Sequence, residues 1–309
     1  MAERPPILLQ GDTIGIVTLG SPLERAKIDQ GISILRQMGF NIVLGDYVYS
    51  EEGYLSSSDE QRAGDLMKMF ADPDVKMILP SRGGVGVAGI LPYLDYAVIR
   101  QNPKILSGYS DITVLQNVLL QYTGLITFQS LLLLDFTPET PAYNFEQFFA
   151  AVATLQSPRR IANPPGIPQV SRVPGNVTGQ TVGGNITSFD DTIGTIYDID
   201  TAGKIIFLEE IEEPVNKVYR YVNHLKLAGK FEECAGIVLG ECTKCGEAYG
   251  KTFEDLITDF FIPLGKPLMT NVTTAHGTYK AAIPIGTRAN LNTENNTFTI
   301  LEPGVKPVS

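Results

Sequence analysis

The feature that most constrains this chain is the alternation of strand-length apolar runs with amphipathic helical stretches through its first 150 residues. Residues 14–18 form a β-rich run closed by Gly20-Ser21-Pro22. Ile28, Ile32 and Leu35 then recur at i, i+4, i+7, the spacing of one helix face. Gly39 ends that helix, and 40–44 returns as a strand. Ser58-Asp59-Glu60 opens a second helix with Leu66 and Phe70 on one side, and Asp72-Pro73 stops it. Residues 77–79 and 104–107 read as strands. Asp111 starts a helix carrying Ile112, Leu115, Val118 and Leu119, and 125–128 is a further strand. Strands separated by helices pair in parallel, because each crossover returns the chain to the same end of the sheet. The fold class expected is α/β: a parallel sheet with helices on both faces, followed by a smaller α+β or barrel-like domain. Such sheets place ligands at the carboxyl ends of strands, here after residues 18, 80 and 107.

A chain of 309 residues is long enough for two domains. The Pro-, Gly-, Asn- and Arg-rich stretch at 157–180 lacks sustained periodicity and reads as the connection. The organisation expected is a first domain over 1–160, a linker over 161–180 and a C-terminal domain over 181–309. In the last, strand-like pieces (204–208, 235–239, 298–301) mix with two helices, one carrying Val218, Val222 and Leu225, the other Phe253, Leu256, Ile257 and Phe260. The 24 Lys and Arg against 34 Asp and Glu give a net charge of −10, which repels phosphate backbones and argues against a nucleic-acid partner. No run approaches the ~20 apolar residues of a membrane span. The N-terminus lacks the regions of a signal peptide, so a cytoplasmic location is expected. Three cysteines argue against a disulfide framework. Cys242-x-x-Cys245 offers too few ligands for zinc, and these thiols are expected to be buried or incidental. No metal or other cofactor is expected.

The sharpest local feature is Gly108-Tyr109-Ser110-Asp111-Ile112, where a strand turns tightly into a helix. That geometry lifts a serine hydroxyl above a sheet edge and aims the N–H groups of the helix start at one spot, which suits an oxyanion. The alternative is that Ser110 or Asp111 simply caps the helix. Arg82-Gly83-Gly84-Val85-Gly86 follows the preceding strand; its glycines allow close backbone approach and free N–H groups for an anion, or make a plain turn. A serine nucleophile needs a base. Only His224 and His276 exist. His224 falls on a helix face, whereas His276, in Ala275-His276-Gly277, lies in a loop and is the better candidate. A carboxylate that orients the base is sought next. Phe207-Leu208-Glu209-Glu210 ends an apolar strand, and only one of its two adjacent glutamates can face the histidine. Glu210, Glu212 and Glu213 read more easily as a solvated acidic cluster.

These residues resemble the serine LD-carboxypeptidases, which include muramoyl-tetrapeptide carboxypeptidases and microcin C self-immunity peptidases. The resemblance runs from about Gly11 to Glu302. Its markers are Arg82-Gly83-Gly84-Val85-Gly86, Gly108-Tyr109-Ser110-Asp111-Ile112-Thr113, Gly183-Gly184-Asn185-Ile186-Thr187, Phe207-Leu208-Glu209-Glu210, Ala275-His276-Gly277 and Ile283-Pro284-Ile285-Gly286. It implies Ser110 as nucleophile, His276 as base and Glu209 as its partner, with the Asp111 N–H and an N–H near Gly84 as the oxyanion hole. It also implies a flavodoxin- or amidotransferase-like first domain, a smaller β-rich second domain, and a homodimer that needs no metal. Two departures bear on substrate: Gln129-Ser130-Leu131 stands where the family commonly has His-Gly-Pro, and Val85 replaces a tyrosine. Both segments are expected to border the substrate cleft. A carboxypeptidase must also hold a terminal carboxylate, for which Arg82, Gly83 and Asn185 are candidates. The leading substrate is a murein tetrapeptide losing D-Ala. A microcin-like peptidyl nucleotide is second, disfavoured by the absence of Trp for stacking. A rival from another class is a non-catalytic module binding a small anionic ligand.

Overall fold

The computed structural model describes residues 2–308 and contains two sheets. The first half supplies β1 (Thr13–Val17), α1 (Arg25–Gln37), β2 (Asn41–Leu44), α2 (Asp59–Ala71), β3 (Val75–Pro80), α3 (Tyr96–Gln101), β4 (Ile105–Gly108), α4 (Ile112–Thr123), β5 (Thr127–Gln129) and α5 (Ala142–Val152). The second supplies β6 (Arg159–Ile161), β7 (Val170–Val173), β8 (Asn176–Asn185), α6 (Ile186–Asp190), β9 (Ile205–Ile211), α7 (Val215–Leu227), β10 (Gly236–Thr243), α8 (Phe253–Leu256), β11 (Leu268–Val272), β12 (Ile283–Ile285), β13 (Arg288–Asn292) and β14 (Thr297–Ile300). Among the described residues, no helix is long and apolar enough to cross a membrane.

The first sheet has the order β12-β5-β4-β3-β1-β2, and β1 to β5 pair in parallel. β4 is buried along its whole length, as a strand covered on both faces must be. Local signals set the helices that cover it. Ser58 and Gln61 close a capping box at the start of α2, satisfying two orphan donors. α1 buries Ile28, Ile32 and Leu35 and stops before Gly39.

The second sheet has eight strands, β6-β14-β13-β8-β9-β10-β11-β7, with a parallel centre (β8 to β11) and antiparallel flanks. It is larger than the first. The stretch expected to be a linker holds β6, β7 and the first half of β8. β6 and β7 are the two edges of this sheet, only partly buried, so no apolar periodicity marks them in the sequence. The helix expected around Phe253–Phe260 is a single α turn, α8, continued by a π turn over Ile257–Phe261. Cys242 and Cys245 form a disulfide, against the expectation of free thiols; Cys234 is a buried free thiol.

The halves share one core. Ile112 and Leu115 of α4 belong to the same apolar cluster as Val182, Ile186 and Leu208. Polar bonds reinforce it. Asn117 on α4 donates to Gly183 O and accepts from Gly183 N, both at 2.9 Å, and Asn185 N donates to Thr113 Oγ1 at 3.0 Å. A Cβ at Gly184 would stand 2.4 Å from Thr113 Oγ1, and its φ is +143°, so only glycine lets the end of β8 lie on α4. β12 comes from the C-terminal half yet pairs antiparallel with β5, so the second half completes the first sheet.

Candidate active site

Ser110 follows β4 with φ +63°, a left-handed conformation that a non-glycine residue adopts only where its surroundings impose it. The turn presents the residue above the carboxyl end of the sheet, directly before α4. Neither Ser110 nor Asp111 caps that helix through its side chain. The Asp111 carboxylate instead accepts from Val87 N at 2.7 Å and Ser188 Oγ at 3.1 Å, tying the glycine loop and α6 to the serine turn. Burial pushes this carboxyl up, and the bonds from Val87 and Ser188 oppose the shift.

The glycine loop lies against the serine. A Cβ at Gly83 would fall 2.7 Å from Ser110 Cβ and 2.9 Å from both Ser110 Oγ and Asp111 N, so the space beside the hydroxyl exists because residue 83 has no side chain. Ser21 braces the loop: its N–H donates to Gly83 O at 3.2 Å, and its Oγ accepts from Val85 N at 3.1 Å. Among the described residues, the N–H groups of Gly84 and Asp111 have no protein acceptor. Arg82 is half-buried, its guanidinium 3.4 Å from Pro22 O.

His276 sits on the loop between β11 and β12. Its Nδ1 is 2.7 Å from Glu209 Oε2 on β9, and Glu209 is 1% exposed. With Nδ1–H donated to the carboxylate, Nε2 carries the lone pair that can accept a proton. The ring meets Tyr109, the residue before Ser110, edge-on at 5.0 Å. Glu210 points to the other face of β9. It is buried, not solvated as expected, and accepts from Asn185 Nδ2 (2.8 Å), Thr187 N (3.0 Å), Thr187 Oγ1 (2.7 Å) and Ile211 N (2.9 Å). Burial pushes the Glu210 carboxyl up against those bonds. The alternation of strand side chains thus separates two adjacent glutamates into different environments.

Other expected contacts lie elsewhere. Asn185, a candidate for substrate, caps α6 through Ser188 N at 3.1 Å and donates to Glu210; it is 4% exposed and engaged within the protein. Gln129 and Ser130 are buried, whereas Val85 is half exposed. His224 lies on α7, half exposed, with Nδ1 2.8 Å from Asp190 Oδ1. A cavity of about 1070 Å³ opens at the far end of α4 and is lined by no serine, cysteine or histidine. The expectations did not include Glu241, whose carboxylate lies against the Gly277 backbone, or the buried groups Tyr109, Asp135 and Lys280 around His276. Tyr109 lies within the serine motif, but no local motif marks the others; they meet only through the fold.

Residues 14–130 match the LD-carboxypeptidase N-terminal domain and 178–291 the LD-carboxypeptidase C-terminal domain. A probable murein peptide carboxypeptidase of Bacillus subtilis (strain 168) is 34% identical over 311 residues, covering 98% of this chain and 95% of the relative. The microcin C7 self-immunity protein MccF of Escherichia coli is 26% identical over 337 residues, covering 98% of both chains. The solved structure of MccF in its apo state shares the fold, with a TM-score of 0.92 at 24% identity over 98% of this chain and 100% of that one. So does a muramoyltetrapeptide carboxypeptidase from Oxalobacter formigenes, with a TM-score of 0.83 at 24% identity over 96% and 100%. Two domain matches in order, together with a relative of this identity across nearly the whole length, remove the ground for a non-catalytic binding module. The chain belongs to the LD-carboxypeptidase family and is a serine-type carboxypeptidase.

Proposed function

We propose that Ser110, His276 and Glu209 form the catalytic triad of an LD-carboxypeptidase that releases terminal D-Ala from murein tetrapeptides during cell-wall recycling. The observation that carries this reading is the 2.7 Å contact between His276 Nδ1 and Glu209 Oε2, with the ring against the residue that precedes Ser110. Ser110 Oγ attacks the scissile carbonyl carbon while its proton passes to His276 Nε2. The tetrahedral oxyanion takes hydrogen bonds from Gly84 N–H and Asp111 N–H, each donor contributing about 3–4 kcal/mol at the transition state. His276 returns the proton to the leaving amine as the C–N bond breaks. A water then attacks the acyl-enzyme, its proton passing to His276 and from there to Ser110 Oγ. Arg82 and the Gly83 region are the groups we assign to the substrate's terminal carboxylate. A homodimer in the cytoplasm belongs to the same reading, carried over from the family.

The murein substrate follows the more identical relative. The high structural similarity to MccF keeps a peptidyl-nucleotide substrate as a second reading. A panel of tetrapeptides ending in D-Ala, assayed for D-Ala release beside an aminoacyl sulfamoyl nucleoside, separates the two. Wild type should release D-Ala, and Ser110→Ala should lose about 10⁴-fold or more in kcat. Equal release by both, or cleavage of the nucleoside conjugate alone, would refute the murein assignment.

A further inference from the structure

The loop that carries His276 has no regular structure, and Ala275 within it is left-handed, with φ +54°. Such a segment keeps one conformation only if other groups hold it. Lys280, buried at 8% exposure, folds back into the loop: its Nζ donates to Ala275 O and, at 3.0 Å, to Gly277 O. These carbonyls come from the residues on either side of His276, so one ammonium holds the backbone before and after the imidazole. The same Nζ lies 4.7 Å over the Tyr109 ring and 3.7 Å from Asp135 Oδ1. Tyr109 OH in turn donates to Asp135 Oδ1 at 3.1 Å, and Asp135 Oδ2 accepts from Leu132 N at 2.9 Å. Tyr109 is the neighbour of Ser110 and the edge-on partner of His276. Asp135 follows β5 in the first half of the chain and Lys280 lies in the second.

We infer that Lys280, seated between Asp135 and Tyr109, is a positioning residue that sets His276 relative to Ser110 across the junction of the two halves. The inference rests on the reading of Ser110 and His276 as nucleophile and base. Its physical basis is that a three-donor ammonium can hold two carbonyls and still face a carboxylate and an aromatic ring. A misplacement of about 1 Å in such a pair costs about 10²-fold in rate.

The test is kcat and KM of Lys280→Met alone and in a His276→Ala background. Because Lys280→Met leaves Asp135 buried without its cation, the neutral pair Lys280→Met/Asp135→Asn is measured beside it, with folding checked by near-ultraviolet circular dichroism. We expect kcat to fall about 30- to 100-fold with KM within about threefold, as for an effect on geometry and not on binding. Lys280→Arg, which keeps the charge over Tyr109, should recover part of the loss. In the His276→Ala background the same change should cost less than about threefold, because a residue acting through His276 has nothing left to act on. A folded Lys280 variant with wild-type kcat, or an equal loss with and without His276, overturns the inference alone. Wild-type turnover by His276→Ala itself overturns the triad and this inference with it.

Discussion

The turn at Ser110 and the loop at His276 meet through the Tyr109 ring but are built differently. The turn is made by consecutive residues: a buried strand, a left-handed serine and a helix start, with a glycine loop one strand away. The loop is braced from within by Lys280 and held from a distance by Glu209 on β9 and by Asn144 on α5, which accepts from Lys280 N at 2.8 Å and donates to Thr278 O at 3.0 Å. One half of the site is therefore written in a short stretch of chain, and the other is assembled from three separate elements. Local geometry tolerates changes elsewhere in the fold; assembled geometry depends on every partner.

Substitutions can break or sharpen this contrast. The largest effect is expected on the assembled side. Glu209→Gln should lower kcat about 10³- to 10⁴-fold, because the imidazole loses the carboxylate that fixes its tautomer and orientation. Steady-state rates of D-Ala release measure it, and a loss under tenfold would detach Glu209 from the base. On the local side, Gly83→Ala puts a methyl 2.9 Å from both Ser110 Oγ and Asp111 N. It should cost about 10²- to 10³-fold by displacing an oxyanion donor, with thermal stability nearly unchanged. Wild-type kcat in a folded Gly83→Ala protein would remove the glycine loop from the chemistry.

Glu210→Gln is the control for its neighbour. An amide NH₂ would oppose donors from Asn185, Thr187 and Ile211, so denaturant unfolding should show a loss of about 1–3 kcal/mol while kcat of the folded fraction stays near wild type. The smallest effect is expected at Asp191. Partial loss of hydration, then the like charges of Asp111 and Asp190, push its carboxyl from 3.8 up to about 6. The folded chain therefore holds a proton there more readily than the unfolded one, and the ionised group costs stability above pH 6, a cost relieved as pH falls toward 4. Asp191→Asn should raise Tm at pH 8 by an amount worth under about 1 kcal/mol, since the side chain is exposed and solvent screens it. The gain should vanish at pH 4; a gain independent of pH would exclude a charge effect.

The same contrast explains what could be read beforehand. Strand-helix alternation announced the parallel sheet because covered strands must be apolar throughout and covering helices must repeat near 3.6 residues. Ser110 was legible because its turn is contiguous, and His276 because the chain has only two histidines. β6 and β7 were not legible, since edge strands need no apolar pattern. Nor was the Cys242–Cys245 bridge, which depends on the turn at the end of β10 bringing the sulfurs together. Asn185 carried an amide that suits a ligand, but the cap of α6 and Glu210 take it first.

By itself, then, the sequence determined the layered α/β class of the first half and the serine turn with its neighbouring glycine loop, and it offered one of two histidines as the candidate base. Each depends on interactions between residues near in the chain or on a residue type that is scarce. Only the tertiary structure decided that Glu209 and not Glu210 faces His276, that β12 returns to the first sheet, and that Lys280, Asp135 and Tyr109 gather around the His276 loop. These pairings span dozens to well over a hundred residues, and the free energy that selects them comes from burying polar groups together, which no local pattern records.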